Sequence, residues 1–309
     1  LLWEYESGAG GGSGAHTCVP YRAAFLSFGY EAISDLQSRQ AVMTRSLDWL
    51  LQPPATSGLD LKATTPITVI GMPGETLAHT LHLRHTGYAG SQEMANLSLE
   101  GNRWTSILQP KTTIIQPCEW YTVTLQVTIP PTAGIHDIDT ATLTVVAAPS
   151  GEQISQQITT KTPAPVLLVD DDRWYPMEEA YIGPLASRNI PFDRWDTAHN
   201  IGGLVGATSP PTATLTRYPI IVWFTGYDWH APILPQERDR LEAYLDQGGR
   251  LLLSSQDFLY HHSGSALARQ FGYKFWYEGQ QAEGAQAVPD HPAGGTWGPA
   301  PLDFPFQNW

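Results

Sequence analysis

The hydrophobic rhythm of the chain has three regimes. In the first, across residues 1–52, an apolar stretch "YRAAFLSF" (21–28) leads through a Gly into "SRQAVMTRSLDWLL" (38–51). Ile33, Leu36, Val42, Met43, Leu47 and Leu50 recur there at near-helical spacing, which predicts a helix from Ser34 to Leu51. Ser34 and Asp35 can cap its start, and Pro53 and Pro54 end it. In the second regime, residues 53–163, apolar and polar positions alternate with period two. Examples are "TLAHTLHLRH" (76–85), "WYTVTLQVTIP" (120–130) and "DTATLTVV" (139–146), separated by turn residues. That pattern predicts an antiparallel β-sandwich. The third regime, residues 164–309, carries continuous apolar runs: "APVLLVDDD" (164–172), "YPIIVWFTGYD" (218–228) and "RLLLSSQDFLYH" (250–261). Such runs predict strands buried on both faces of a parallel sheet. They alternate with helical segments at 178–190 and 234–249, the second closed by a Gly pair. The expected fold class is therefore multidomain, α/β plus all-β, with doubly wound parallel-sheet elements flanking a sandwich.

Charge and composition narrow the function classes. Over 309 residues, 30 Asp and Glu against 17 Lys and Arg give a net charge of −13. That disfavours nucleic acid and anionic lipid as partners. No apolar run approaches the ~20 residues that span a bilayer. "LLWEYESGAGGG" (1–12) lacks the basic start and apolar run of a signal peptide, so any export signal is expected outside this chain. Two cysteines, Cys18 and Cys118, leave two alternatives open: one disulfide or two separate thiols. Asn96-Leu97-Ser98 fits a glycosylation sequon.

Two resemblances add to this reading. "PGETLAHTLHLRHTG" (73–87), "NRWTSILQP" (102–110), "YTVTLQVTIPPTAG" (121–134) and "DTATLTV" (139–145) resemble the immunoglobulin-like accessory modules of bacterial secreted and surface proteins. "VLLVDDD" (166–172), "YPIIVWFTG" (218–226), "LEAYLDQGGRLLLSSQD" (241–257) and "LDFPFQNW" (302–309) resemble the class I glutamine amidotransferase-like (flavodoxin-type) α/β fold, in the non-catalytic form carried by large secreted bacterial proteins. The same resemblance assigns "YRAAFLSFGYEAI" (21–33) and the helix after it to the end of such a domain, so residues 1–52 read as its tail and 164–309 as its front. Four explanations compete: one period of a tandem array, a circular permutant, a subunit that lends its first segment to a neighbour, and a simple truncation.

The resemblance also implies where chemistry would sit. The family's nucleophilic Cys falls on the "SSQD" turn, where this chain has Ser254 and Ser255; its His falls on Gly29, with Glu31 retained. The expectation is a non-enzyme, with a hydrolase using Ser255 and His230, His261 or His262 as the remaining catalytic reading. Asp170, Asp171, Asp172 and Asp228 end the apolar strands and are candidate ligands for Ca²⁺ or Mg²⁺, with Asp257 nearby; Asx turns and helix caps are the structural alternative. His79, His82 and His85 lack zinc spacing, His79 and His85 sharing one strand face. Aromatic-rich loops leave glycans as a further class of partner. The expected function is a non-catalytic extracellular or cell-surface assembly protein that contacts copies of itself. Alternatives are an accessory binding region of a secreted peptidase or glycosidase, and the Ser255 hydrolase.

Overall fold

The computed structural model describes residues 13–16, 18, 22–172, 175–197, 209–272, 284–285 and 300–302. The chain divides into two compact units, Leu1–Pro165 and Val166–Trp309. In the first, β1 (Ser13–His16) and β2 (Ala23–Leu26) form a two-stranded antiparallel sheet, followed by helix α1 (Leu36–Leu51). Asp35 caps α1 by accepting from Ser38 N at 2.7 Å, satisfying one of the free amides of the first turn. Arg22 holds the other end: its guanidinium donates to the carbonyls of Trp49 and Pro53 and lies 5.2 Å from the Trp49 ring centre.

The sandwich follows. Its strands are β3 (Leu59–Ala63), β4 (Thr68–Ile70), β5 (Thr76–His85), β6 (Glu93–Glu100), β7 (Thr105–Gln109), β8 (Thr112–Ile115), β9 (Trp120–Thr128), β10 (Ile138–Ala148) and β11 (Gln153–Lys161). One sheet has the order β3-β5-β9-β7 and the other β4-β11-β10-β6-β8. Alternate residues point inward because side chains change face at each step of a strand. Leu81 and Leu83 of β5, Val123 and Leu125 of β9, and Leu143 and Val145 of β10 thus meet in one core with Trp104 and Ile115.

Polar groups stitch the two sheets. Cys18 is disulfide-bonded to Cys118, with Cα atoms 5.2 Å apart, and the Cys118 amide donates to the His85 carbonyl at 2.7 Å. His85 is fully buried. Gly87 N donates to its Nδ1 at 3.0 Å, so Nε2 carries the proton and faces Glu93 Oε1 at 3.4 Å. Glu93 in turn accepts from the Ser150 hydroxyl.

His79, also buried, reaches from β5 to Thr160 Oγ1 of β11 at 2.7 Å. Burial lowers its pKa from 6.5, with the Pro66 carbonyl opposing. A base with a depressed folded pKa binds fewer protons folded than unfolded, so stability is full above 6.5 and declines as pH falls through the folded value. The sandwich is therefore expected to lose stability in mild acid, and His79→Gln to flatten that pH dependence in denaturant titrations.

The second unit contains β12 (Val166–Asp170), α2 (Glu179–Ser187), β13 (Phe192–Asp196), α3 (Thr212–Leu215), β14 (Ile220–Phe224), α4 (Pro235–Asp246), β15 (Arg250–Ser254), α5 (Phe258–His262) and α6 (Ala266–Gln270). Four strands form a parallel sheet in the order β13-β12-β14-β15. One face packs Leu167, Val169, Ile221 and Trp223 against Leu241 and Tyr244 of α4 and Leu267 of α6. The other packs Leu168, Val222 and Phe224 against Tyr181 and Ile182 of α2.

The expected fold class needs correction here. The chain is mainly β, and among the described residues the parallel sheet stops at four strands flanked by short helices, three of them only four or five residues long. Residues 23–26 pair with β1 in an antiparallel hairpin within the first unit. Continuous apolar runs report burial on both faces of a strand. They do not report how many strands or helices complete the layer, so they do not by themselves give a doubly wound flavodoxin/amidotransferase-like architecture.

Candidate functional site

Carboxylates collect at the C-terminal end of β12. Three successive aspartates alternate in direction, as strand residues must. Asp171 turns to the α4 side, where Oδ1 accepts from Thr197 Oγ1 and Oδ2 from Trp223 Nε1, each at 3.0 Å. Asp170 and Asp172 turn to the other side and are hydrogen-bonded to one another. Asp170 Oδ2 also accepts from Arg194 Nη2 at 2.6 Å, and Asp172 Oδ2 from Met177 N at 3.0 Å. Arg194 bridges onward to Glu178 at 3.0 Å and Asp196 at 3.5 Å. Burial raises the pKa of both carboxyls; for Asp172, with the Asp170 and Glu178 charges adding to it, the value is pushed up to about 7. Two adjacent buried carboxylates repel, which favours keeping one of the pair protonated to higher pH than an isolated carboxyl.

An acid whose folded pKa exceeds its unfolded 3.8 binds more protons folded than unfolded between the two values. Stability therefore falls as pH climbs through that window. The second unit is expected to unfold more readily at about pH 8 than at about pH 5, and Asp172→Asn to remove most of that difference. Thermal unfolding at the two pH values checks this.

The other sequence candidates are engaged locally. Asp228 Oδ1 accepts from His230 N at 3.0 Å, an Asx-type turn. Among the described residues no three His, Cys, Asp or Glu side chains are placed to hold a metal ion. Ser254 Oγ accepts from Tyr181 OH at 2.7 Å, and Tyr181 stacks on Phe224 with ring centres 4.2 Å apart. Ser255 Oγ accepts from Thr225 Oγ1 at 2.9 Å. His261 and His262 donate through Nε2 to the carbonyls of Trp229 and Ile233, at 3.0 and 2.7 Å. Gly29 precedes a single helical turn, Tyr30–Ala32, in the first unit, where Glu31 is exposed. Asn96 lies exposed on β6.

Two surface features were not singled out from sequence. The first is apolar exposure at the start of the chain. Of the sixteen residues in α1 only Val42 is buried, while Leu36, Met43, Leu47, Leu50 and Leu51 are exposed together with Phe25 of β2. The second is a ladder on the outer face of the sandwich. Pairing of β3, β5 and β9 sets Asp60 opposite Arg84 and Arg84 opposite Trp120, with Lys62 opposite His82 one step along. Charge signs and the aromatic could be read from the sequence; strand order, which brings them together, could not.

Comparison with known proteins limits what can be carried over. No family model matches the chain, and no curated protein matches it. Similar solved structures include the ASH/PapD-like domain of human CEP192, at 12% identity over 36% of this chain and 87% of that one, with a TM-score of 0.27. A FixG-related protein from Vibrio parahaemolyticus is 12% identical over 35% of this chain and 96% of that one, TM-score 0.27. The periplasmic chaperone SfaE is 15% identical over 34% of this chain and 56% of that one, TM-score 0.24. These are immunoglobulin-like and PapD-like sandwiches. The resemblance to a class I glutamine amidotransferase-like α/β domain is not borne out: no family model matches, and the parallel sheet has four strands among the described residues. The sandwich stands on its own two sheets and the core between them. A disulfide belongs to an oxidising compartment, which points to the periplasm or the extracellular side. No helix among the described residues is long and apolar enough to cross a membrane.

Proposed function

We propose that this chain is a non-catalytic assembly protein outside the cytoplasm, a repeat of an array or a filament subunit, whose opening strand–helix segment docks on a neighbouring copy. The apolar side of α1 carries the reading. A sixteen-residue helix gains most of its stability from tertiary packing, and α1 buries one residue. Fully covering a Leu or Met side chain is worth about 1.5–3 kcal/mol relative to leaving it exposed. Covering five half-exposed side chains is therefore a driving force on the scale of a specific contact. A receiving surface is offered by β15, which among the described residues is one of the two outer strands of the parallel sheet and whose Leu252 is 57% exposed. Unpaired edges of this kind accept an added strand from another chain. Contact between an edge of one copy and the opening segment of the next is heterologous, and such contacts close into rings or extend as filaments.

Hydrogen exchange on the intact chain tests this. Amides of residues 36–51 should exchange quickly in dilute solution and become protected as concentration rises, with residues 250–254 protected in parallel. Protection of 36–51 that is high and independent of concentration would refute docking between copies.

A further inference from the structure

The ladder on the outer face of the sandwich has the composition of a ligand site. Trp120 is 43% exposed and Lys62 64% exposed at the side chain. The Arg84 guanidinium lies 4.4 Å from the Trp120 ring centre and Lys62 Nζ 5.6 Å from it, with the His82 ring at 6.0 Å. Asp60 is the single carboxylate of the group, 3.1 Å from Arg84 Nη2 and 3.7 Å from Lys62 Nζ. Two permanent cations over one anion leave local positive charge on a chain whose net charge is −13. The pairing of β7 with β9 runs from Thr105 opposite Thr128 to Gln109 opposite Thr124. Trp120 lies beyond that ladder, so no strand among the described residues flanks the indole on the side away from β5.

We infer that this strip binds a polyuronate, an acidic polysaccharide with a carboxylate on each sugar ring. The two halves of the ligand match the two halves of the strip. An exposed indole is a flat apolar plate, suited to the C–H face of a pyranose. Lys62, exposed beside the indole, is complementary to the ring carboxylate as a mobile point charge, and the half-covered Arg84, paired with Asp60, adds its positive charge behind it. An acidic peptide would satisfy the cations but has no constant ring to lay on the plate. The inference is independent of docking through α1, because every residue in it belongs to the sandwich.

Calorimetric titration of the intact chain with oligomers of galacturonate, guluronate and mannuronate tests it, with a neutral glucan oligomer and polyglutamate as comparators. At least one uronate oligomer is expected to bind, less tightly as salt is raised. Trp120→Ala and Lys62→Glu should each weaken that binding about tenfold, while far-ultraviolet circular dichroism stays unchanged because both side chains are exposed. The inference is overturned if no uronate binds or if Trp120→Ala binds as wild type. Equal binding of the neutral glucan would also overturn it, and equal binding of polyglutamate would point to an acidic protein partner instead.

Discussion

Replacing Cys118 with serine is expected to lower the unfolding free energy of the first unit by about 3–5 kcal/mol in denaturant titrations. The bridge to Cys18 closes a loop with a sequence separation of 100 residues, which contains β2, α1 and β3 to β8. Opening it returns that loop's freedom to the unfolded chain, and the cost grows slowly with loop length. The folded side should change little at position 118 itself. The Cys118 amide still donates to the His85 carbonyl, and serine keeps that bond. Reducing the native disulfide should give a loss of similar size. A change of less than about 1 kcal/mol in both experiments would mean that the bridge adds no constraint to the unfolded chain.

Trp223→Ala is expected to cost the second unit about 3–5 kcal/mol. Trp223 is fully buried in the middle of β14, among Leu167, Val169, Leu241 and Tyr244. Truncation leaves a cavity in a two-sided sheet that has little room to collapse. It also removes the indole N–H that donates to Asp171 Oδ2, and a buried acceptor without its donor is costly. Trp223→Phe separates the two effects: it keeps most of the volume and loses only the donor, so its cost should be roughly half as large. If the Phe variant is as stable as wild type, the Asp171 contact contributes nothing.

Much of the secondary structure was legible, for reasons that particular segments make plain. Residues 76–85, 120–128 and 138–148 alternate strictly, and a half-buried strand is the conformation that puts every second side chain inside. Residues 36–51 form the expected helix, because apolar spacing, the Asp35 cap and the following prolines agree. What periodicity cannot encode is which elements meet. "AAFL" has the apolar content of a core strand, yet its Phe25 is 69% exposed in a hairpin with β1. The α1 stripe has the spacing of a packed helix and lies mostly open. "VLLVDDD" and "LLLSSQD" gave a family resemblance on the strength of apolar runs and turns that many parallel strands share, and no family model supports it. The ladder of Asp60, Arg84 and Trp120 depends on β5 lying between β3 and β9, a non-local fact. The Asp170–Asp172 pair was visible as an acidic run; its raised pKa values depend on burial, which no run of letters states.

In the proposed assembly, exposed apolar side chains of α1 join one copy to the next. Sedimentation velocity over a wide concentration range tests it most directly, comparing the native chain with Leu47→Asp. Leu47 is 48% exposed, so the variant should fold normally. The native chain is expected to form species larger than one copy as concentration rises, and Leu47→Asp to stay monomeric over the same range. A native chain that remains monomeric throughout, or a variant that assembles as well as wild type, would contradict it.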